Sequence, residues 1–186
     1  MSVQLQRWVF TVDEYTRMAE AGILSEDDRT ELIEGEIIRM SPIGKRHASI
    51  IIRLTRILGP IVGDNAFLSI QNPLQLDSYS QPQPDIALLK PREDLYADGI
   101  ATPESVLLLI EVCDSSLSYD KEVKLLLYAK AGIPEVWIED LPGDKIEAYS
   151  NPVKGKYQNS RIIRRGDSIS PERLPMLVFK ADDLLG

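Results

Sequence analysis

Asp85, Glu111 and Lys124 are the residues whose types and places in the chain suggest chemistry. Asp85 ends the polar–proline run QPQPD and stands at the mouth of the apolar stretch IALL. Glu111 closes the apolar run VLLLI. A carboxylate in such a place is costly unless it is paired, hydrogen-bonded or bound to a metal. If the two stretches are neighbouring antiparallel strands, the acid that opens one and the acid that closes the other meet at one edge of a sheet. Two carboxylates held together repel unless they share a proton or a cation. Oxygen ligands of this kind suit magnesium or manganese, and the carbonyl of Val112 or Cys113 offers a further ligand. Lys124 falls on the helix expected next. At about 100° per residue it shares a side with Leu127, Tyr128 and Ala131, while Glu122 and Lys130 fall opposite. An ammonium among apolar neighbours calls for a carboxylate partner. Two acids and a lysine around a divalent cation meet the needs of phosphodiester hydrolysis: an acidified water, a polarised phosphate, and a cation to assist the water or the developing charge.

The elements that must position these residues are legible in outline. Thr11 and Glu14 form a capping-box pattern for a first short helix, with Gly22 as its stop. ELIEGEIIRM reads as a hairpin turning at Glu34-Gly35. KRHASIIIRLTRILG reads as a helix with His47, Ile50, Ile51, Leu54, Ile57 and Leu58 on one face. NAFLSIQNPLQL and DIALLK read as strands beside prolines. VLLLIEV reads as a strand covered on both faces. KEVKLLLYAKAG reads as a helix ending at Gly132, and EVWIED as another buried strand. The last three form an expected right-handed crossover unit. KIEAYS, KYQNSRIIR and LPMLVFKADDLL read as antiparallel strands and a tail. The pattern is that of an α/β fold with a mixed central sheet, and it predicts one domain over residues 1–186.

Composition bounds the function classes. The chain has 186 residues, 44% of them hydrophobic and 27% charged, which suits one domain with a real core. No apolar run approaches the ~18 residues of a membrane span, and MSVQLQRWVF lacks the pattern of a secretory leader. These features predict a cytoplasmic protein without a membrane partner. The single cysteine, Cys113, excludes an internal disulfide framework and a cysteine-based zinc site. The net charge of −8 weighs against an unaided phosphate-binding surface. The one concentrated basic stretch, Lys154, Lys156, Arg161, Arg164 and Arg165, is the first candidate for phosphate contact.

With this order in view, Pro84-Asp85 followed by Ile110-Glu111-Val112 on the next strand resembles the PD-(D/E)XK pattern of the restriction-endonuclease-like nucleases. More narrowly, the succession ELIEGEIIRMSP, His47, QPDIALLK, LLLIEVCDSS and YDKEVKLLLYAKAGIPEVWIED is similar to the Uma-type family of bacterial endonucleases, from about Thr11 to Asp140. The resemblance implies a restriction-endonuclease-like mixed central β-sheet flanked by helices, with antiparallel C-terminal strands. It implies a divalent-metal-dependent endonuclease acting on DNA, with Mg2+ or Mn2+ as cofactor. Asp85 and Glu111 match the metal-binding acids. The place two residues after Glu111 holds Cys113 instead of lysine. Lys124 matches a lysine moved onto the following helix, with Lys121 as the runner-up. Glu31 and His47 match further recurrent positions and are expected at the site. A homodimer fits the same reading, because two sites must face the two strands of a duplex.

Each residue also has a plainer role. Asp85 could cap backbone amides after a proline turn, Glu111 could hold a structural ion pair, and Lys124 could lie along apolar surface. His47 could be a hydrogen-bonded core residue, Glu31 could pair with a nearby cation, and Cys113 reads as a small buried filler. Two other function classes share the same acids: a nuclease fold that only binds or assembles, and a metal-dependent hydrolase of small phosphate esters.

Overall fold

The computed structural model describes residues 7–25 and 27–186; residues 1–6 of the stretch read for a leader lie outside them. Helix α1 (Val12–Glu20) starts where its sequence signals it: Thr11 accepts the Glu14 N–H, and the Glu14 carboxylate accepts the Thr11 N–H in return. Strands β1 (Thr30–Ile33) and β2 (Glu36–Arg39) form the expected hairpin. Its two turn residues, Glu34 and Gly35, both have positive φ, as a tight two-residue hairpin turn requires. A side chain at Gly35 would also run into Val9.

Helix α2 (Lys45–Val62) is one turn longer than its pattern suggests and passes through Pro60. Ile50, Ile51, Leu54, Leu58 and Val62 are its buried stripe. Strand β3 (Phe67–Ile70) is shorter than expected: the chain turns at Gln71, whose φ is positive, and runs irregularly through the prolines to β4 (Ile86–Leu89). Strand β5 (Val106–Cys113) is buried at all eight positions, as its continuous apolar run implies.

The segment after β5 departs from a plain α-helix. A short α3 (Leu117–Tyr119) passes into a π-turn (Asp120–Lys124), and α4 (Leu125–Lys130) follows. The π-turn is closed by the Leu125 N–H donating to the Asp120 carbonyl, five residues back. Strands β6 (Glu135–Asp140), β7 (Lys145–Val153) and β8 (Lys156–Ile163) complete the sheet. The C-terminal stretch read as strand and tail contains only the short strand β10 (Phe179–Lys180), paired with β9 (Ser168–Ile169), and ends in helix α5 (Ala181–Leu185).

Six strands form one mixed sheet in the order β3-β4-β5-β6-β7-β8. Only β5 and β6 are parallel, joined by the α3–α4 crossover; all other neighbours are antiparallel. Successive side chains of a strand point to opposite faces, and the core accordingly has two halves. Leu108, Ile110, Val112 and Trp137 pack with α2 and α5. Leu109, Cys113, Val136 and Ile138 pack with α4 and the β1–β2 side. Among the described residues no helix is long and apolar enough to cross a membrane.

Candidate active site

The antiparallel register of β4 and β5 pairs Ile86 with Ile110. Asp85, one residue before β4, therefore comes beside Glu111 and Val112. Its backbone N–H donates to Glu111 Oε2 at 3.3 Å, and its own Oδ2 accepts the Val112 N–H at 2.9 Å. The side chain thus continues the sheet ladder past the end of the strand. Its other oxygen, Oδ1, accepts from Gln71 Nε2 at 3.2 Å and meets His47 Nε2 at 2.9 Å. His47 comes from the first turn of α2 and faces the sheet as the helical pattern predicts. The hydrogen bond to Asp85 raises the His47 pKa above its ordinary value against the opposing effect of burial.

Glu31 arrives from the other side. A two-residue bridge between Leu32 and Gln81 lays β1 along the proline loop. Glu31 Oε2 then accepts the Gln83 N–H at 3.1 Å and lies 3.3 Å from Lys124 Nζ. Lys124 Nζ is also 3.4 Å from Glu111 Oε1, which accepts the Tyr128 hydroxyl at 2.5 Å. Lys124 and Tyr128 are four residues apart and share a helix face, as the sequence pattern requires. Glu31, Glu111 and Lys124 are nearly sealed from solvent, at 2%, 3% and 4% exposure.

These groups line one cleft of about 410 Å³ whose wall also includes Arg29, Arg39, Gln83, Asp114, Ser115, Ser116, Tyr119 and Asp120. Its charges do not balance. At its buried end Glu31, Asp85, Glu111 and Asp120 stand against one ammonium and one imidazole, while Arg29, Arg39 and Asp114 lie on the outer wall. Burial, reinforced by Asp120 and Asp85, pushes the Glu111 carboxyl up to about 8 despite Lys124. Burial alone would lower the Lys124 pKa, but Glu111, Glu31, Asp120 and Asp85 more than reverse this and hold it above its usual value. The ammonium therefore stays charged, and the surplus lies with the carboxylates.

All five residues singled out in the sequence, Glu31, His47, Asp85, Glu111 and Lys124, border this cleft. Lys121 does not: it donates to Glu147 Oε2 at 2.8 Å, on β7. The basic stretch lies on the β7–β8 connection, on β8 and just beyond it, away from the cleft, and Arg165 is held by Asp144. The cleft's own cations on the hairpin side, Arg29 and Arg39, carried no sequence signal beyond their closeness to ELIEG. Tyr128, Asp120 and Tyr119 were also missed; only the crossover's helical phase could have flagged Tyr128, and the π-turn hides the others. Cys113 is a fully buried filler that donates to Asp120 at 3.1 Å, and burial pushes its thiol pKa up.

The donor set fits a hard divalent cation. At the buried end its chemistry is carboxylate oxygen, the negative charge there is in excess, and a cation beside Glu111 and Asp85 would relieve the cost that raises the Glu111 pKa. Among the described residues no three His, Cys, Asp or Glu side chains close around one point. Asp85 and Glu111 are the side chains that could hold such a cation, and magnesium commonly keeps waters beside one or two carboxylates. The carbonyl of Cys113 accepts the Leu141 N–H at 3.0 Å and turns toward β6, while the Val112 backbone meets His47.

A family model described as "Uma2: Putative restriction endonuclease" matches residues 12–182. A crystal structure from Anabaena variabilis, described as "a putative nuclease belonging to DUF820", superposes with a TM-score of 0.72 at 19% identity, covering 95% of this chain and 97% of that one. At that identity the likeness speaks for the fold. No curated protein matches the sequence.

Proposed function

The chain belongs to the Uma2 family, and from that premise we propose that it is a divalent-metal-dependent endonuclease acting on DNA, with Asp85 and Glu111 as the metal-holding acids and Lys124 as the catalytic lysine. The observation that carries the reading is the convergence of Asp85, Glu111 and Lys124, from three separate elements, on one acid-rich cleft. A purely structural ion pair needs no surplus of carboxylates and no opening beside it.

Each residue then has a task. Asp85 is fixed by Val112, Gln71 and His47, so its carboxylate is preorganised. Glu111 is oriented by Tyr128 and Lys124 from one side and by the Asp85 N–H from the other. Magnesium or manganese, when bound by these acids, supplies an acidified water and charge neutralisation at the phosphate. Lys124 stays protonated among the acids and offers its ammonium to the attacking water or to the developing charge on phosphate. Glu31 holds Lys124 in place, and His47 holds Asp85. Arg29 and Arg39, on the hairpin rim, are suited to backbone phosphates that approach the cleft.

The same reading extends to a symmetric dimer, which would present two clefts to a duplex, and to the cytoplasm, where DNA is accessible. The experiment is a substrate panel: supercoiled plasmid, linear duplex, single strand and bis(p-nitrophenyl) phosphate, each with magnesium, manganese or EDTA. Cleavage of polynucleotide that needs the metal and exceeds hydrolysis of the small diester is the expected result. Hydrolysis confined to the small diester would replace the endonuclease with a small-ester hydrolase.

A further inference from the structure

Tyr119 lines the same cleft as Glu31, Glu111 and Lys124. Its hydroxyl oxygen is buried and has no hydrogen-bond partner among the described residues. A buried phenol usually finds a partner, and leaving one unpaired is costly. The backbone explains how it is placed there. In an unbroken α-helix, residues five apart stand about 140° apart around the axis. The π-turn closes at i→i+5 instead, and so brings residues five apart toward one side. Tyr119 and Lys124 are separated by that interval: Tyr119 stands just before the turn, and Lys124 is its last residue. An inserted π-turn weakens a helix locally and is common at functional sites; here it sets Tyr119 and Lys124 together on the wall of one cleft.

The cleft needs donors. An anion entering among four carboxylates is repelled unless it meets cations and O–H or N–H groups. Lys124 has three N–H donors and directs its ammonium at Glu31 and Glu111. Tyr119 has one donor with nothing to receive it among the described residues. Burial and Glu31 hold its phenol above the ordinary value, so it remains an O–H donor at neutral pH.

Resting on the endonuclease reading above, we propose that Tyr119 is a substrate-contacting catalytic residue whose hydroxyl donates a hydrogen bond to a non-bridging oxygen of the phosphodiester being cleaved. The bond strengthens as charge develops on the phosphate, so its loss falls on kcat more than on KM.

Tyr119→Phe tests this, because it removes the hydroxyl and keeps the ring. A hydroxyl that serves only the fold would have a partner in the fold; this one has none among the described residues, so stability and activity should move apart. The melting temperature of Tyr119→Phe is expected to be unchanged or higher, while metal-dependent cleavage of supercoiled plasmid falls about 10²-fold. The manganese concentration for half-maximal rate should stay at the parent value. Cleavage by Tyr119→Phe at the parent rate overturns the role of Tyr119 and leaves the nuclease reading standing. A loss of activity that tracks a lower melting temperature makes Tyr119 structural and also overturns it. If the parent protein cleaves no polynucleotide with either metal, the endonuclease reading fails and takes the Tyr119 role with it.

Discussion

Two buried glutamates stand in one row across the sheet and teach opposite lessons. Glu111 on β5 pairs with Ile138 on β6, and Ile138 pairs with Glu147 on β7. Directly paired residues share a face, so both glutamates point to the α4 side. Each meets a lysine from the same π-turn: Lys124 reaches Glu111, and Lys121 reaches Glu147. Around Glu147 the charges match. Burial alone would raise its pKa, but hydrogen bonds from Lys121, Lys145 and Tyr149 outweigh this and pull it down to about 2. Around Glu111 the acids outnumber the ammonium, and burial pushes it up to about 8. The first arrangement is what a fold builds for stability. The second is unfavourable for stability and persists where a cation or substrate is expected.

Breaking the two lysines separately should separate the two roles. Lys124→Met should lower cleavage about 10²- to 10³-fold. It should also destabilise the protein by about 3 to 5 kcal/mol, because Glu31 and Glu111 are left buried without their cation. Added manganese should raise the melting temperature of this variant more than that of the parent, since the metal then takes the ammonium's place as counter-charge. Lys121→Met should leave cleavage at the parent rate and cost at most about 1 kcal/mol, because Lys121 is 36% exposed and solvent screens its pair. Plasmid cleavage and thermal unfolding of both variants check the contrast; equal loss of cleavage in Lys121→Met moves the catalytic role to that lysine.

The smaller effect is on pH dependence. The Glu147 carboxyl is depressed in the folded state, so the unfolded chain binds its proton more readily. The stability it contributes is present above about pH 4.5, its unfolded value, and is lost as pH falls toward about 2. Glu147→Gln should therefore flatten the decline of melting temperature between pH 5 and pH 3 without altering metal-dependent cleavage at pH 7. An acid limb as steep as the parent's would show that the balanced cluster contributes nothing.

Much of this contrast was legible in the sequence. An acid opening one apolar run and an acid closing another forecast their meeting at a sheet edge, because antiparallel register leaves little freedom. The 3.6-residue period set Lys124 and Tyr128 on one face correctly, since Lys124 is the N-cap of α4 and the helix is regular from there onward. The same period failed over residues 120–124, where a π-turn replaces it. It gave no reason to notice Tyr119, because nothing in the local composition of YDKEVK announces an i→i+5 turn. The long strand expected through Gln71 stopped early for a tertiary reason: the Gln71 N–H donates to the Asp85 carbonyl, and its side chain turns to the Asp85 carboxylate. In the C-terminal stretch, short apolar runs fit strand and helix equally well, and packing of α5 against α2 and β7 decided for helix.

The central claim is that the QPQPD carboxylate is one arm of a metal-dependent nuclease site. The most direct measurement is cleavage of supercoiled plasmid by the parent protein and by Asp85→Ala, with magnesium or manganese and with EDTA. Nicking or linearisation that requires the metal and disappears in Asp85→Ala, with the variant still folded by circular dichroism, is the predicted result. Cleavage by Asp85→Ala at the parent rate would contradict the account.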